Sequence, residues 1–234
     1  MIGTIANTAA ILAGSLIGGT VRHGLKEKYQ GILYVAMGLA ATGLGINAVV
    51  QNMPDSSFPV LFIGSLAIGG VVGTAVDLEG RFNKLVESRA KDGSQLARGL
   101  STAIMLFCIG TLSILGPINS ALHGDETFLF TNAMLDFVTS MVLASTFGYG
   151  IAVAAAVLFC WQGGIFLLAN VAAPYLTGGL MTEISIVGGF LIFASGLSIL
   201  KIKEISTMNL LPALLVPPCW FALMQLTNNL GGLL

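Results

Sequence analysis

The stretch FLFTNAMLDFVTSMVLAS, residues 128–145, carries one ionisable side chain, Asp136, in an otherwise apolar and hydroxyl-bearing run. A helix that crosses a bilayer needs about 20 predominantly apolar residues, and this run has nearly that length. An aspartate at the centre of such a helix costs about 2.5–3.5 kcal/mol on insertion scales. Helical spacing sets Asn132, Asp136, Thr139 and Ser140 on one face and Phe137, Val138, Met141 and Val142 on the other. The polar face is therefore expected to turn toward the interior of a helix bundle or a water-filled path, where Asp136 finds partners.

The rest of the chain reads the same way. Only 9% of the 234 residues are charged and 55% are hydrophobic, with a mean hydropathy of +0.90; a soluble domain carries about 25% charge. A globule this poor in charge could not cover its own surface. The fold class that follows is all-α, a polytopic transmembrane bundle of about eight helices in a single membrane domain over residues 1–234. Apolar runs predict helices at 2–20, 31–50, 58–77, 99–120, 130–147, 150–172, 184–201 and 209–230. Only Gly148-Tyr149-Gly150 separates the fifth from the sixth, which leaves open one long broken helix there. The first run starts at Met1 with no basic residue ahead of it, so it reads as a retained helix rather than a signal peptide.

The charges orient the bundle. All ten basic residues fall in three connections: Arg22, Lys26 and Lys28; Arg81, Lys84, Arg89, Lys91 and Arg98; Lys201 and Lys203. Eight crossings put all three on one side, which the positive-inside rule assigns to the cytoplasm, with both termini outside. The opposite loops are expected to hold Asp55, then His123, Asp125 and Glu126, then Glu183. Segment 79–98 spaces Phe82, Leu85 and Val86 helically among charges, with Glu87 and Lys91 as an i,i+4 pair. It reads as a short amphipathic helix on the cytoplasmic surface.

Two repeats stand out. Gly14-Ser15-Leu16-Ile17-Gly18-Gly19 recurs as Gly64-Ser65-Leu66-Ala67-Ile68-Gly69-Gly70, and Gly38, Ile46 and Asn47 match Gly110, Ile118 and Asn119 at one offset, as in a hairpin duplication. Gly14/Gly18 and Gly69/Gly73 are small-xxx-small pairs suited to helix contacts within the chain or between protomers. A homo-oligomer is compatible with them.

Chemistry points away from an enzyme. No metalloprotease, nucleophile-elbow or phosphate-loop motif occurs, no metal site or cofactor is suggested, and Cys108, Cys160 and Cys219 read as inert thiols inside apolar runs. With a net charge of −1, no long-range field points to nucleic acid. The expected partners are membrane lipid and a small solute, cation or proton. Asn7, Asn47, Asn119, Asn170 and Gln225 fall in the outer parts of their helices and Gln162 near a helix middle, beside Gly163-Gly164. A carboxamide in lipid needs partners for up to four hydrogen bonds, so these side chains are expected to converge with Asp136. Pro117 and Pro174 interrupt or end helices, and Asn209, Pro212, Pro217 and Pro218 mark the last helix as a candidate broken segment, since proline removes a backbone donor.

An ordered set of motifs runs along the chain: Met1-Ile2-Gly3-Thr4, Asp77-Leu78-Glu79-Gly80, Leu135-Asp136 with Ser140 and Leu143-Ala144-Ser145, Gln162-Gly163-Gly164, Gly188-Gly189 with Gly196, and Asn209-Leu210-Leu211-Pro212. Together these resemble the uncharacterised bacterial membrane proteins of domain of unknown function family 554, the YqgA-like proteins. The resemblance implies a bacterial cytoplasmic-membrane location and supplies no substrate. The aspartate followed by small residues, then a Gly-Gly helix, is also similar to manganese-efflux proteins, although Asn7 stands where a second carboxylate would be expected. The function expected from the residues is a small-solute or ion transporter or channel with a polar path at Asp136. The alternative is a non-transporting assembly or sensory protein that acts through segment 79–98.

Overall fold

A computed structural model describes residues 1–20, 27–89, 95–173 and 178–231, all helices and short connections. Arg22, His23, Lys26, Lys91 and Pro174 lie outside the described residues. Among the described residues, eleven α-helices follow one another: α1 (Ile2–Thr20), α2 (Glu27–Asn52), α3 (Leu61–Val76), α4 (Leu78–Arg89), α5 (Gln95–Ile109), α6 (Thr111–His123), α7 (Thr127–Phe147), α8 (Val153–Ala172), α9 (Gly178–Ile199), α10 (Thr207–Leu210) and α11 (Val216–Gly231). Tight 3-10 turns occupy Met53–Asp55, Tyr149–Ala152 and Leu211–Leu215.

Among the described residues, six stretches are long and apolar enough to cross a membrane: α1, Tyr34–Asp55, α7, Tyr149–Ala172, α9 and Thr207–Gln225. A seventh arises if α5 and α6, which meet at 44°, form one span. The remaining expected crossing, the third at 58–77, is α3, which has 16 residues and is apolar but shorter. Large apolar side chains face outward, with Leu168 72% and Val171 73% exposed. Such a surface belongs in lipid, where an apolar exterior carries no hydration cost.

Several boundaries correct the sequence reading. The helix expected at 99–120 breaks at Gly110, whose extended backbone (φ −57°, ψ 137°) separates α5 from α6. The fifth and sixth helices are distinct: Gly148 turns the chain at φ 88°, a conformation glycine adopts without a Cβ penalty. The helix expected from 184 begins at Gly178, so Glu183 lies inside α9 rather than in a loop. In the last span the break is the 3-10 turn at Pro212; Pro217 and Pro218 fall in the first turn of α11, where a missing N–H is harmless.

Glycines set which helices touch. A Cβ on Gly14 would meet the Phe137 carbonyl and Ser140 Oγ, and one on Gly18 the Met141 carbonyl, so α1 lies backbone-close along α7. Gly69 and Gly73 bring α3 equally close to Ala213 and Asn209 of the last span. The Gly14/Gly18 and Gly69/Gly73 pairs thus make the same kind of crossing, both within this chain, although Gly64, the counterpart of Gly14 in the repeat, meets nothing within 4 Å. Gly45 and Gly196 join α2 to α9 through Phe193 and Thr42.

These pairings sort the molecule into two ends. Met1, residues 53–60, residues 119–127 and the start of α9 share one end, linked by Met1 N to Glu126 (3.3 Å) and Ser56 Oγ to Glu183 Oε1 (2.7 Å). Thr20, Asp77–Gly80, Gly148 and Leu200–Ser206 share the other, linked by the contact of Gly19 with Tyr149, that of Gly38 with Leu200, and the hydrogen bond from Ser206 to Glu79. Lys28, Arg81, Lys84, Lys201 and Lys203 all belong to this Gly148 end. Between the ends, an apolar core joins Ile11, Phe107, Ala144, Ile151 and Leu158 of α1, α5, α7 and the α8 region. Phe82 of α4 packs against it, edge-on to Trp161 at 6.1 Å between ring centroids.

Candidate functional site

The polar stripe of α7 builds the site. Asn132, Asp136, Thr139 and Ser140 are all buried, and Asn132 Nδ2 donates to Asp136 Oδ2 at 2.9 Å one turn away. From α1, the Asn7 carboxamide reaches the same carboxyl. Its geometry falls outside a regular hydrogen bond, which leaves both amide atoms of a fully buried side chain unsatisfied. Thr4 and Ser15 lie on the same face of α1 as Asn7, and their buried hydroxyls are also unpartnered. Gln162 of α8 donates to Ser113 Oγ of α6 at 3.1 Å, while its Oε1 has no partner. Native interiors leave few polar atoms in this state, and here, among the described residues, they gather on α1 and α8, the neighbours of the α7 stripe.

Asp136 also borders open space. A cavity of about 470 Å3 is lined by Asp136, Asn132, Thr139, Tyr34, Ser195 and Glu79, and it extends past Ser198 and Thr207. It shares Glu79 and Ser198 with a hollow of about 430 Å3 bounded by Glu204 and Ser206, at the Gly148 end. The helix break at Gly110 opens into it, and Thr111 Oγ1 pairs there with Ser195 Oγ at 2.8 Å. Glu79 sits at its mouth, its N–H donating to Asn209 Oδ1 (3.1 Å) and its carboxylate accepting from Ser206. Among the described lining residues there are two carboxylates and no lysine, arginine or histidine.

A second cavity of about 470 Å3 opens at the Met1 end, lined among others by Asn47, Gln51, Asn52, Asn119, His123 and Asp125. Asn119 organises it, donating to Asp125 Oδ2 at 2.9 Å and meeting His123 Nδ1 at 2.7 Å through Oδ1. Asp125 Oδ1 accepts from the Thr127 N–H and hydroxyl at 2.9 and 2.6 Å. Partial burial pushes the Asp125 carboxyl up, but the hydrogen bonds from Thr127 and Asn119 and the nearby His123 outweigh it and hold it below the usual 3.8. The repeat-matched residues Asn47 and Asn119 both line this vestibule.

An apolar layer divides the two cavities. Leu112, Leu115 and Ile192 are buried together, flanked by Leu44, Ile118, Phe128 and Leu135. Leu112 and Leu135 border the Asp136 cavity, and Leu115 and Phe128 border the vestibule.

The expected site residues therefore divide into four groups. Asp136, Asn132 and Thr139 line one cavity, and Asn47 and Asn119 the other. Asn7 and Gln162 are buried in the polar interior, while Ser140 packs against Gly14 and donates to the Phe137 carbonyl. Asn170 and Gln225 do not converge: both are exposed, and Asn170 Nδ2 bonds the Phe166 carbonyl of its own helix. Of the cysteines, Cys108 is buried and Cys160 and Cys219 are exposed.

Sequence reasoning missed two carboxylates. Glu183, 1% exposed, accepts from Ser56 Oγ and the Phe58 N–H and so anchors the loop before α3. Glu79, placed by charge pattern on a surface helix, turns out to be the second acid of the Asp136 cavity. Among the described residues, no three His, Cys, Asp or Glu side chains gather to hold a metal ion.

The family described as "Protein of unknown function (DUF554)" matches residues 2–222. The chain is 62% identical over 218 residues to the "Uncharacterized membrane protein YdfK" of Bacillus subtilis (strain 168), covering 93% of this chain and 94% of that one. It is 30% identical over 238 residues to the "Uncharacterized protein YqgA" of Escherichia coli (strain K12), covering 95% of this chain and all of that one. No solved structure matches.

Proposed function

The chain belongs to the DUF554 family, and from that premise we propose that it is a small transporter of a cation or polar solute, with Asp136 in its path. The observation that carries this reading is the cavity that runs from Glu79 to the buried Asp136, acidic at both ends and free of basic side chains among its described lining residues. A carboxylate at this depth persists only where water, a hydrogen-bond network or a solute reaches it. The break at Gly110 supports the reading, because discontinuous helices near the membrane midplane are where transporters expose backbone polar groups to substrate. So does the apolar layer: two blind cavities on opposite sides of one barrier suit alternating access.

The positive-inside rule gives the orientation. The basic Gly148 end faces the cytoplasm of a bacterial inner membrane, both termini lie outside, and the Asp136 cavity is open inward. Assembly as a homo-oligomer is compatible with this arrangement. The interaction reading through segment 79–98 has less support, since Phe82 is spent on the core beside Trp161.

The test is flux. The full chain, reconstituted in proteoliposomes, is to be screened with alkali ions, protons, divalent ions and small polar metabolites. At least one is expected to move in the wild type and to fall to background in Asp136→Asn. Flux that is identical in the two proteins removes Asp136 from the path and the proposal with it.

A further inference from the structure

The polar atoms behind Asp136 point to a narrower conclusion, which rests on the transport reading above. We propose that Asp136, Asn7 and Asn132 form a site for a monovalent alkali cation, at the blind end of the inward cavity.

Three observations carry it. The first is charge balance: Asp136 is 4% exposed, and its cavity holds no cationic side chain among the described residues. An uncompensated buried charge is costly, and one positive charge neutralises it. A divalent ion would leave an excess charge in the same low-dielectric place, with Glu79 at the far mouth of the cavity as the next acid. The second is donor chemistry. The groups at hand are carboxylate and carboxamide oxygens, hard donors that suit alkali and alkaline-earth ions rather than soft metals. No cluster of three His, Cys, Asp or Glu is present among the described residues.

The third is Asn7 itself. It is fully buried on α1, reaches Asp136, and has both amide atoms unsatisfied by the protein. With its amide nitrogen turned to the carboxylate, its oxygen is free to face an ion. The backbone-close crossing at Gly14 and Gly18 brings α1 near enough for that reach. Asn132, already donating to Asp136 Oδ2, lines the cavity on the approach side. The asparagine in place of an acid at position 7 then sets the valence: one carboxylate, one charge.

The experiment is thermal unfolding of the full chain in detergent, titrated with LiCl, NaCl, KCl or choline chloride at constant ionic strength, and separately with CaCl2 and MnCl2. The expected result is saturable stabilisation by at least one alkali ion over choline. Affinity should fall tenfold or more in Asn7→Ala and the response should be lost in Asp136→Asn. Because Asn7→Ala leaves a cavity at a fully buried position, Asn7→Asp is the second variant: it keeps the volume, adds a charge, and is expected to shift preference from alkali to divalent ions. An alkali response no larger than choline's overturns the proposal, as does tighter wild-type binding of Ca2+ or Mn2+, or an Asn7→Asp variant with unchanged preference. Asp136-dependent flux with no alkali response removes this site and leaves the transport reading standing. An alkali response without Asp136-dependent flux does the reverse.

Discussion

The Asp136 cavity and the Asn119 vestibule are the same size and lie on the same helices, yet their chemistry differs. Each has a volume of about 470 Å3, and α6, α7 and α9 contribute to both. In the vestibule, Asn119 and His123 at the end of α6, Asp125 in the connection and Thr127 at the start of α7 satisfy one another across one helix junction. Beside the α7 stripe that carries Asp136, polar atoms of α1 and α8 are buried and left unsatisfied. A self-satisfied set of side chains can greet a solute and release it. An unsatisfied one has more to gain from binding. On the transport reading proposed above, the difference assigns selectivity to the buried end and admission of solute to the vestibule.

The largest effect expected is all-or-none. With Cys160 and Cys219 replaced by serine, Thr139→Cys should react with a membrane-impermeant thiol reagent only from the side of the basic loops, and Asn119→Cys only from the other. Labelling of both from one side would merge the two cavities and undo the comparison. Next comes the apolar layer. Ile192→Ala should destabilise the protein by about 2–5 kcal/mol, as for other buried aliphatic truncations, measured by denaturant unfolding in detergent. Leu168→Ala, on the exposed surface, should change it by no more than about 0.5 kcal/mol. Equal costs would mean that the layer is not packed as a barrier.

Glu79→Gln should have a smaller effect, a roughly three- to tenfold loss of cation uptake at low salt that shrinks at high salt, because a charge at a cavity mouth acts through a screened field. A salt-independent loss would instead assign Glu79 to the binding step. The smallest effect concerns Asp125. Its folded-state pKa lies below the usual 3.8, so its ionised form favours the folded protein. That contribution is complete above the unfolded value and fades as pH falls through the folded one. Asp125→Asn should therefore lower stability at neutral pH by under about 1 kcal/mol, as for exposed polar pairs. The gap should close in acid below pH 3.8. A gap that widens in acid would reverse the sign.

Much of this arrangement was legible in the sequence because lipid enforces it. The α1 and α7 runs needed no tertiary information, since a bilayer demands a full-length apolar helix. The buried face of α7 followed from helical spacing around one costly acid. What stayed hidden depends on partners remote in sequence. Gly110 lies inside FCIGTLSILG, where hydropathy is uniform and nothing local distinguishes a glycine that packs from one that breaks. Glu183 looks like a loop acid until Ser56 and Phe58, more than a hundred residues earlier, are seen to hold it in a helix. Glu79 belongs by pattern to a surface helix, and only Asn209 and Ser206 reveal that it caps a cavity. Asn170 and Gln225 were expected inside because a carboxamide in lipid needs partners, but Asn170 finds one on its own helix.

One consequence follows from α3, whose 16 residues reach only ~24 Å at 1.5 Å per residue, against a hydrocarbon layer of about 30 Å. Its neighbour across the Gly69 and Gly73 crossing carries the 3-10 turn at Leu211–Leu215, so both members of that pair depart from a full-length regular helix. Lipids that border them must compress, at a cost of fractions of a kcal/mol per ångström of mismatch. This side of the protein is thereby the one on which a change in bilayer thickness falls most heavily.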